Sequence, residues 1–125
     1  MDLQAKEAAR RAAERRGQDA EDRAAAALEA RGWTVLDRRV RTGVGELDLV
    51  AERQGLLAFI EVKARPSLAE AASALSRRQQ VRLMAAAEAW LVNHPGRGAN
   101  GMRFDVILVA PEGMRRVRDA FRAWT

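Results

Sequence analysis

Two short stretches of this 125-residue chain carry the groups that could do chemistry: GELDLV over residues 45–50 and FIEVKAR over residues 59–65. Side chains two apart on a strand share a face, so Glu46 stands with Asp48 and Glu61 with Lys63. The connection between them carries a two-residue turn signal, Gln54-Gly55. That turn would place Asp48 opposite Glu61 and Glu46 opposite Lys63. The same register puts Leu47 against Val62 and Leu49 against Ile60, an apolar face behind a charged one. A slip by one residue would bury the acids and expose the aliphatics.

Opposed residues in such a pair have Cβ atoms about 4.5–5.5 Å apart, and like charges there are destabilising. Two carboxylates near 4 Å repel by about 4 kcal/mol at an effective dielectric of about 20. Protonation of one acid relieves this, and so does a cation. Oxygen donors favour a hard ion, Mg²⁺ or Mn²⁺, sharing its shell with water and phosphate oxygens. Lys63 beside such an ion could orient a water or offset charge on a phosphoryl group. The pattern has a second reading, a salt-bridged edge hairpin in which Lys63 neutralises Glu46 and Arg65 or Arg53 covers the rest. Charge pattern alone leaves both open.

The elements that must position these residues follow from the surrounding sequence. Residues 1–16 read as a basic, solvated helical arm, with Gly17 as an interruption, and residues 17–125 as one domain. QDAEDRAAAALEARG reads as a helix capped by Asp19 and stopped by Gly32, with a narrow alanine and leucine stripe. Strands follow from Trp33 to about Arg41, over ELDLVAE and over LLAFIEVKAR, the last ended by Pro66. Residues 68–93 read as one long helix or two broken near Ser76, and MRFDVILVA as an interior strand before a short final segment. The order is α-β-β-β-α-β, a mixed central sheet flanked by helices, of class α/β.

Composition bounds the partners. The formal net charge is +5, compatible with a polyanion partner through phosphate neutralisation. A genome bias toward arginine would produce the same balance. The absence of cysteine removes disulfides, thiolate catalysis and zinc–thiolate sites. No apolar run approaches the roughly 18–20 residues of a membrane span, and the first residues lack the apolar core of a signal peptide. A cytoplasmic protein is the expectation.

In order, Gly17 to Glu21, RGWTVLDRRVR, GELDLVAE, FIEVKAR and RFDV resemble the YraN-like family of small bacterial endonuclease-like proteins. The spacing from Asp48 to Glu61-Val62-Lys63 is similar to the D…(D/E)XK signature of the restriction-endonuclease-like superfamily. The resemblance implies a restriction-endonuclease-like core, similar to Holliday-junction resolvases, and a Mg²⁺- or Mn²⁺-dependent nuclease acting on DNA, branched or otherwise distorted. The alternative is a non-catalytic nucleic-acid-binding or adaptor module that retains the fold. By the same resemblance Asp48, Glu61, the carbonyl of Val62 and Glu21 are metal-site positions, Lys63 is the signature lysine, and Glu46 is a supporting acid. The chain departs from the family pattern at Ala20, where a second glycine is usual. It departs again at Gln79, where a lysine is expected after Ser76 and Arg78. A two-fold homodimer would suit a symmetric junction.

Arg41, Arg65, Arg77, Arg78 and Arg82 lie near the ends of the elements that carry the acids, and are the candidates for phosphate contact. His94 reads as a solvent-facing helix end, and the three tryptophans as core. Asp105, in an apolar strand, reads as a partner for a backbone group or an arginine.

Overall fold

The computed structural model describes residues 2–68 and 75–121. Helix α1 spans Leu3–Ala30, strands β1, β2 and β3 span Thr34–Thr42, Gly45–Arg53 and Leu56–Ala64, and helix α2 spans Arg77–Val92. Strands β4 (Met102–Ala110) and β5 (Gly113–Phe121) complete the sheet. The five strands lie in sequence order, with only β3 and β4 parallel. The parallel step needs a crossover, and α2 supplies it.

The two helices cover opposite faces. Ala20, Ala24, Ala25 and Leu28 of α1 pack with Trp33, Leu49, Ala51, Ala58, Ile60 and Ile107. Leu83, Ala86, Ala87 and Trp90 of α2 pack with Leu47, Val50, Phe59, Phe104 and Leu108. Small residues on α1 let it approach the sheet closely.

The expected element order holds, with three differences. Gly17 does not interrupt α1: the helix runs through it, capped by the Asp2 carboxylate, which accepts from the Ala5 N–H at 2.7 Å. One glycine costs about 1 kcal/mol, and the alanine-rich flanks outweigh it. Burial on α1 begins only at Ala20, so the N-terminal half is largely solvated helix. Second, α2 starts at Arg77 with a capping box, Ser76 Oγ accepting from the Gln79 N–H and Gln79 Oε1 from the Ser76 N–H. This agrees with a break near Ser76, one of the two alternatives, and not with one helix running on from residue 68; residues 69–74 lie outside the described residues. Third, the final segment is a full strand, β5, hairpinned to β4. Among the described residues no helix is long and apolar enough to cross a membrane.

The β2–β3 hairpin takes the expected register over Leu49↔Ile60 to Arg53↔Leu56. Gln54 and Gly55 have φ of 52° and 79°, the twin left-handed conformation of a type I′ turn. Beyond Leu49 the alternation slips. Leu47 is buried on the α2 face and Leu49 on the α1 face, although they are two apart. Asp48 sits at the slip, beside the stretch of β1 where Arg39 takes φ 50°. Leu47 therefore does not back Val62, which packs on the α1 side.

Candidate active site

The slip in β2 is what builds the site. Paired residues run to Leu49↔Ile60 and no further along this ladder, while β3 continues alongside β4 through Glu61↔Val106 and Lys63↔Leu108. In place of a further backbone pair, the Asp48 carboxylate reaches across and accepts from the Val62 N–H at 2.8 Å. Its side chain is thereby fixed from the backbone of the opposing strand.

Asp48 and Glu61 open into one cleft of about 480 Å³, bordered by Gly45, Glu46, Gln79 and Arg82. Burial pushes the Asp48 carboxyl up to about 7, and the charge of Glu61 adds to the rise; Glu21 adds less, while the Val62 N–H and Lys63 oppose it. Lys63 Nζ lies 3.2 Å from Glu61 Oε1, both side chains about one-fifth exposed. The lysine thus partners Glu61, the acid on its own strand face. One ammonium faces two carboxyl groups, and it pairs with Glu61 rather than with Asp48.

On the far wall α2 approaches β2 at Gly45. A Cβ on Gly45 would stand 2.7 Å from the Arg82 carbonyl oxygen, so only glycine permits this approach. The contact sets Gln79 and Arg82 against the carboxylates. Arg82 makes no ion pair among the described residues.

The profile of the uncharacterised protein family UPF0102 matches residues 20–109. The chain belongs to family UPF0102. This is the YraN-like family, as the ordered motifs implied. A UPF0102 protein from Granulibacter bethesdensis is 57% identical over 111 residues, covering 88% of this chain and 70% of its own. One from Bradyrhizobium sp. ORS 278 is 53% identical over 105 residues, covering 84% and 74%. One from Azorhizobium caulinodans is 56% identical over 104 residues, covering 83% and 79%.

Within this UPF0102 chain the remaining candidate residues separate. Glu46 borders the cleft, but its side chain is 69% exposed and lies 3.8 Å from Arg41 across β1, not against Lys63. The slip at Asp48 turns Glu46 toward the β1 edge, which corrects the regular register. Glu21 Oε2 is held by Arg39 Nε at 2.5 Å, and the Glu21 carboxylate acts on Asp48 through its charge. Among the described residues no group of three histidine, cysteine or acidic side chains is placed to share one metal ion. Asp48 and Glu61 form a pair, and Glu21 does not join them.

Of the arginines, Arg82 borders the cleft. Arg41 is turned to Glu46, and Arg65 lines a different groove between α1 and the ends of β3 and β4. Arg77 and Arg78 are exposed on the first turn of α2 and do not border the cleft. Gln79 and Arg82 were legible from helical spacing. They lie one turn or less before Leu83 and Ala86, so they flank the buried stripe, whereas Arg77 and Arg78 face away.

Asp105 is fully buried on the α1 side, away from the cleft. Its carboxylate takes the guanidiniums of Arg103 and Arg116 and the N–H of Asp119 at 2.9 Å. Both partners expected for it, an arginine and a backbone group, are present. Trp33 is buried beneath the guanidiniums of Arg53, Arg103 and Arg116, each 4.8–5.4 Å from its ring centre. His94 is half-buried rather than solvent-facing: it stacks on Trp90 at 3.8 Å, with Nδ1 2.7 Å from the Trp90 carbonyl oxygen, and does not border the cleft. Trp124 lies outside the described residues.

Proposed function

We propose that this chain is a metal-dependent nuclease that hydrolyses phosphodiester bonds of DNA, on a restriction-endonuclease-like core to which β5 is appended. The observation that carries this reading is the placement of Asp48 and Glu61 side by side in an open cleft, with Asp48 driven toward its neutral form. Such a pair stores repulsion that a divalent cation relieves.

The donor chemistry fits Mg²⁺ or Mn²⁺. Asp48 and Glu61 are hard oxygen ligands, the Val62 carbonyl is a backbone donor beside them, and Mg²⁺ commonly uses one or two carboxylates with water and phosphate oxygens. When bound, the ion supplies Lewis-acid polarisation of a phosphoryl oxygen and acidification of a water. The residues do the rest. Val62 N–H holds Asp48 in one rotamer, so that little reorganisation is needed. Lys63, held 3.2 Å from Glu61 Oε1, would present its ammonium to the attacking water or to a phosphoryl oxygen. Arg82 donates to the phosphate from the opposite wall. Glu46 supports the rim, and Glu21 tunes Asp48 through its charge while Arg39 holds it.

The test is cleavage of single-stranded, duplex, flapped and four-way DNA with Mg²⁺ or Mn²⁺. The wild type cuts at least one of them, and Asp48→Asn, with an unchanged circular dichroism spectrum, cuts none. Absence of cleavage on every substrate with both metals overturns the reading.

A second reading rests on a specific observation, that among the described residues no third acid is placed to share one metal ion with Asp48 and Glu61. A fold kept for binding, without turnover, would need no more than that. Mn²⁺ binding and DNA binding without cleavage would select it.

A further inference from the structure

We propose that the groove formed by Arg16 and Arg23 of α1 with Arg65 after β3 is a second phosphate-backbone site, which takes the DNA strand as it leaves the cleft. The inference rests on the nuclease reading for its ligand, and on its own geometry for its place. The groove encloses about 440 Å³ at the end of the sheet, between α1, Pro66 and Pro111. Three guanidiniums line it against one carboxylate, Asp19.

Several arginines are paired with a carboxylate: Arg38 with Asp22, Arg39 with Glu21, Arg41 with Glu46, Arg97 with Glu52, and Arg103 and Arg116 both with Asp105. Those of the groove are not. Among the described residues Arg16, Arg23 and Arg65 form no ion pair. Arg23 donates to the Ala110 carbonyl at 3.0 Å and Arg65 to the Ala64 carbonyl at 2.9 Å, contacts that fix the guanidiniums without cancelling their charge. Convergent, unneutralised guanidiniums over an apolar floor suit a phosphodiester chain, since each can donate to phosphate through two parallel N–H groups.

The position relative to the cleft gives the groove its role. Glu61 of β3 borders the cleft beside α2, whereas Arg65, just past the end of β3, lines the groove beside α1, so the groove receives a strand that passes over the C-terminal end of β3. Both openings lie toward the C-terminal ends of the parallel pair β3 and β4, where open α/β sheets bind ligands. Arg16 lies seven residues before Arg23, so it extends the row along α1 by about 10 Å, away from the acids.

The experiment measures binding of the full chain to a labelled DNA duplex by fluorescence anisotropy, as a function of salt and without divalent metal. Arg16→Gln alters an exposed side chain and Arg65→Gln a half-buried one, and Arg97→Gln, whose partner is Glu52, serves as the charge-matched control. Each groove variant lowers the slope of log K against log salt by about 0.9, and the control leaves it unchanged. Equal slopes in groove variants and wild type overturn the proposal, as does an equal fall in the control, or no binding to DNA. Preference for an acidic polypeptide over DNA overturns it as well. Cleavage with unaltered slopes sinks the groove and spares the nuclease; altered slopes without any cleavage do the reverse.

Discussion

The N–H of Val62 donates to the Asp48 carboxylate at 2.8 Å at the point where the β2–β3 ladder ends. A side chain thus completes what the backbone leaves unpaired. The same bond aims Asp48 at Glu61, in a cleft that Gly45 and Arg82 close from the other side.

The pH dependence of stability follows from this pair. Asp48 rises to about 7 in the folded chain, against about 3.9 for an unfolded aspartate. Between those values the folded state holds the proton more tightly, so metal-free stability falls as pH rises from about 4 to about 7, and levels off above. The fall is on the order of 4 kcal/mol from the shift alone. Asp48→Asn keeps an oxygen to accept from Val62 and removes the charge. Urea unfolding in chelator at pH 5 and pH 8 checks this: the wild type loses stability between them, and Asp48→Asn loses markedly less. Equal losses would contradict it.

Gly45→Ala tests the wall of the cleft. Its Cβ would stand 2.7 Å from a backbone oxygen of α2, which a rotamer change cannot relieve. Overpacking of this kind costs about 1–3 kcal/mol. The helix must shift away from β2 and take Arg82 with it. The melting temperature falls, and cleavage falls further than stability at a temperature where the variant is fully folded.

Asp105→Ala tests the separation of the two charged clusters. Removing one partner from a buried ionic group costs about 3–5 kcal/mol, because Arg103 and Arg116 are left facing each other. Burial already pushes the Arg116 guanidinium below its ordinary value. Thermal unfolding shows the loss, while Mn²⁺ affinity of the folded variant stays within about twofold of wild type, since Asp105 lies on the opposite face of the sheet from the acids. A large loss of Mn²⁺ affinity would link the clusters.

Much of this was legible in the sequence where local rules and tertiary structure agree. Gln54-Gly55 specified the turn, alternation specified Leu49 against Ile60, and Glu61 and Lys63 share a face as their spacing required. What escaped was irregular. The slip between Leu47 and Leu49 has no marker in composition, since Arg39, with its left-handed backbone, is neither glycine nor asparagine. It sends Glu46 to Arg41 and removes the expected pairing with Lys63. Strand β5 was hidden because Met114, Val117 and Phe121 do not alternate; the ladder shifts opposite Asp105, where Asp119 has φ 51°. Gly17 misled in the other direction, because one poor helix former does not stop a helix that its neighbours favour.

The ion itself is the most direct measurement. Crystals grown in chelator and soaked in Mn²⁺ are read by anomalous scattering at the manganese edge. The account predicts one peak between Asp48 and Glu61, absent in Glu61→Gln. A saturating soak that leaves this position without a peak, while both carboxylates stay in place, contradicts it.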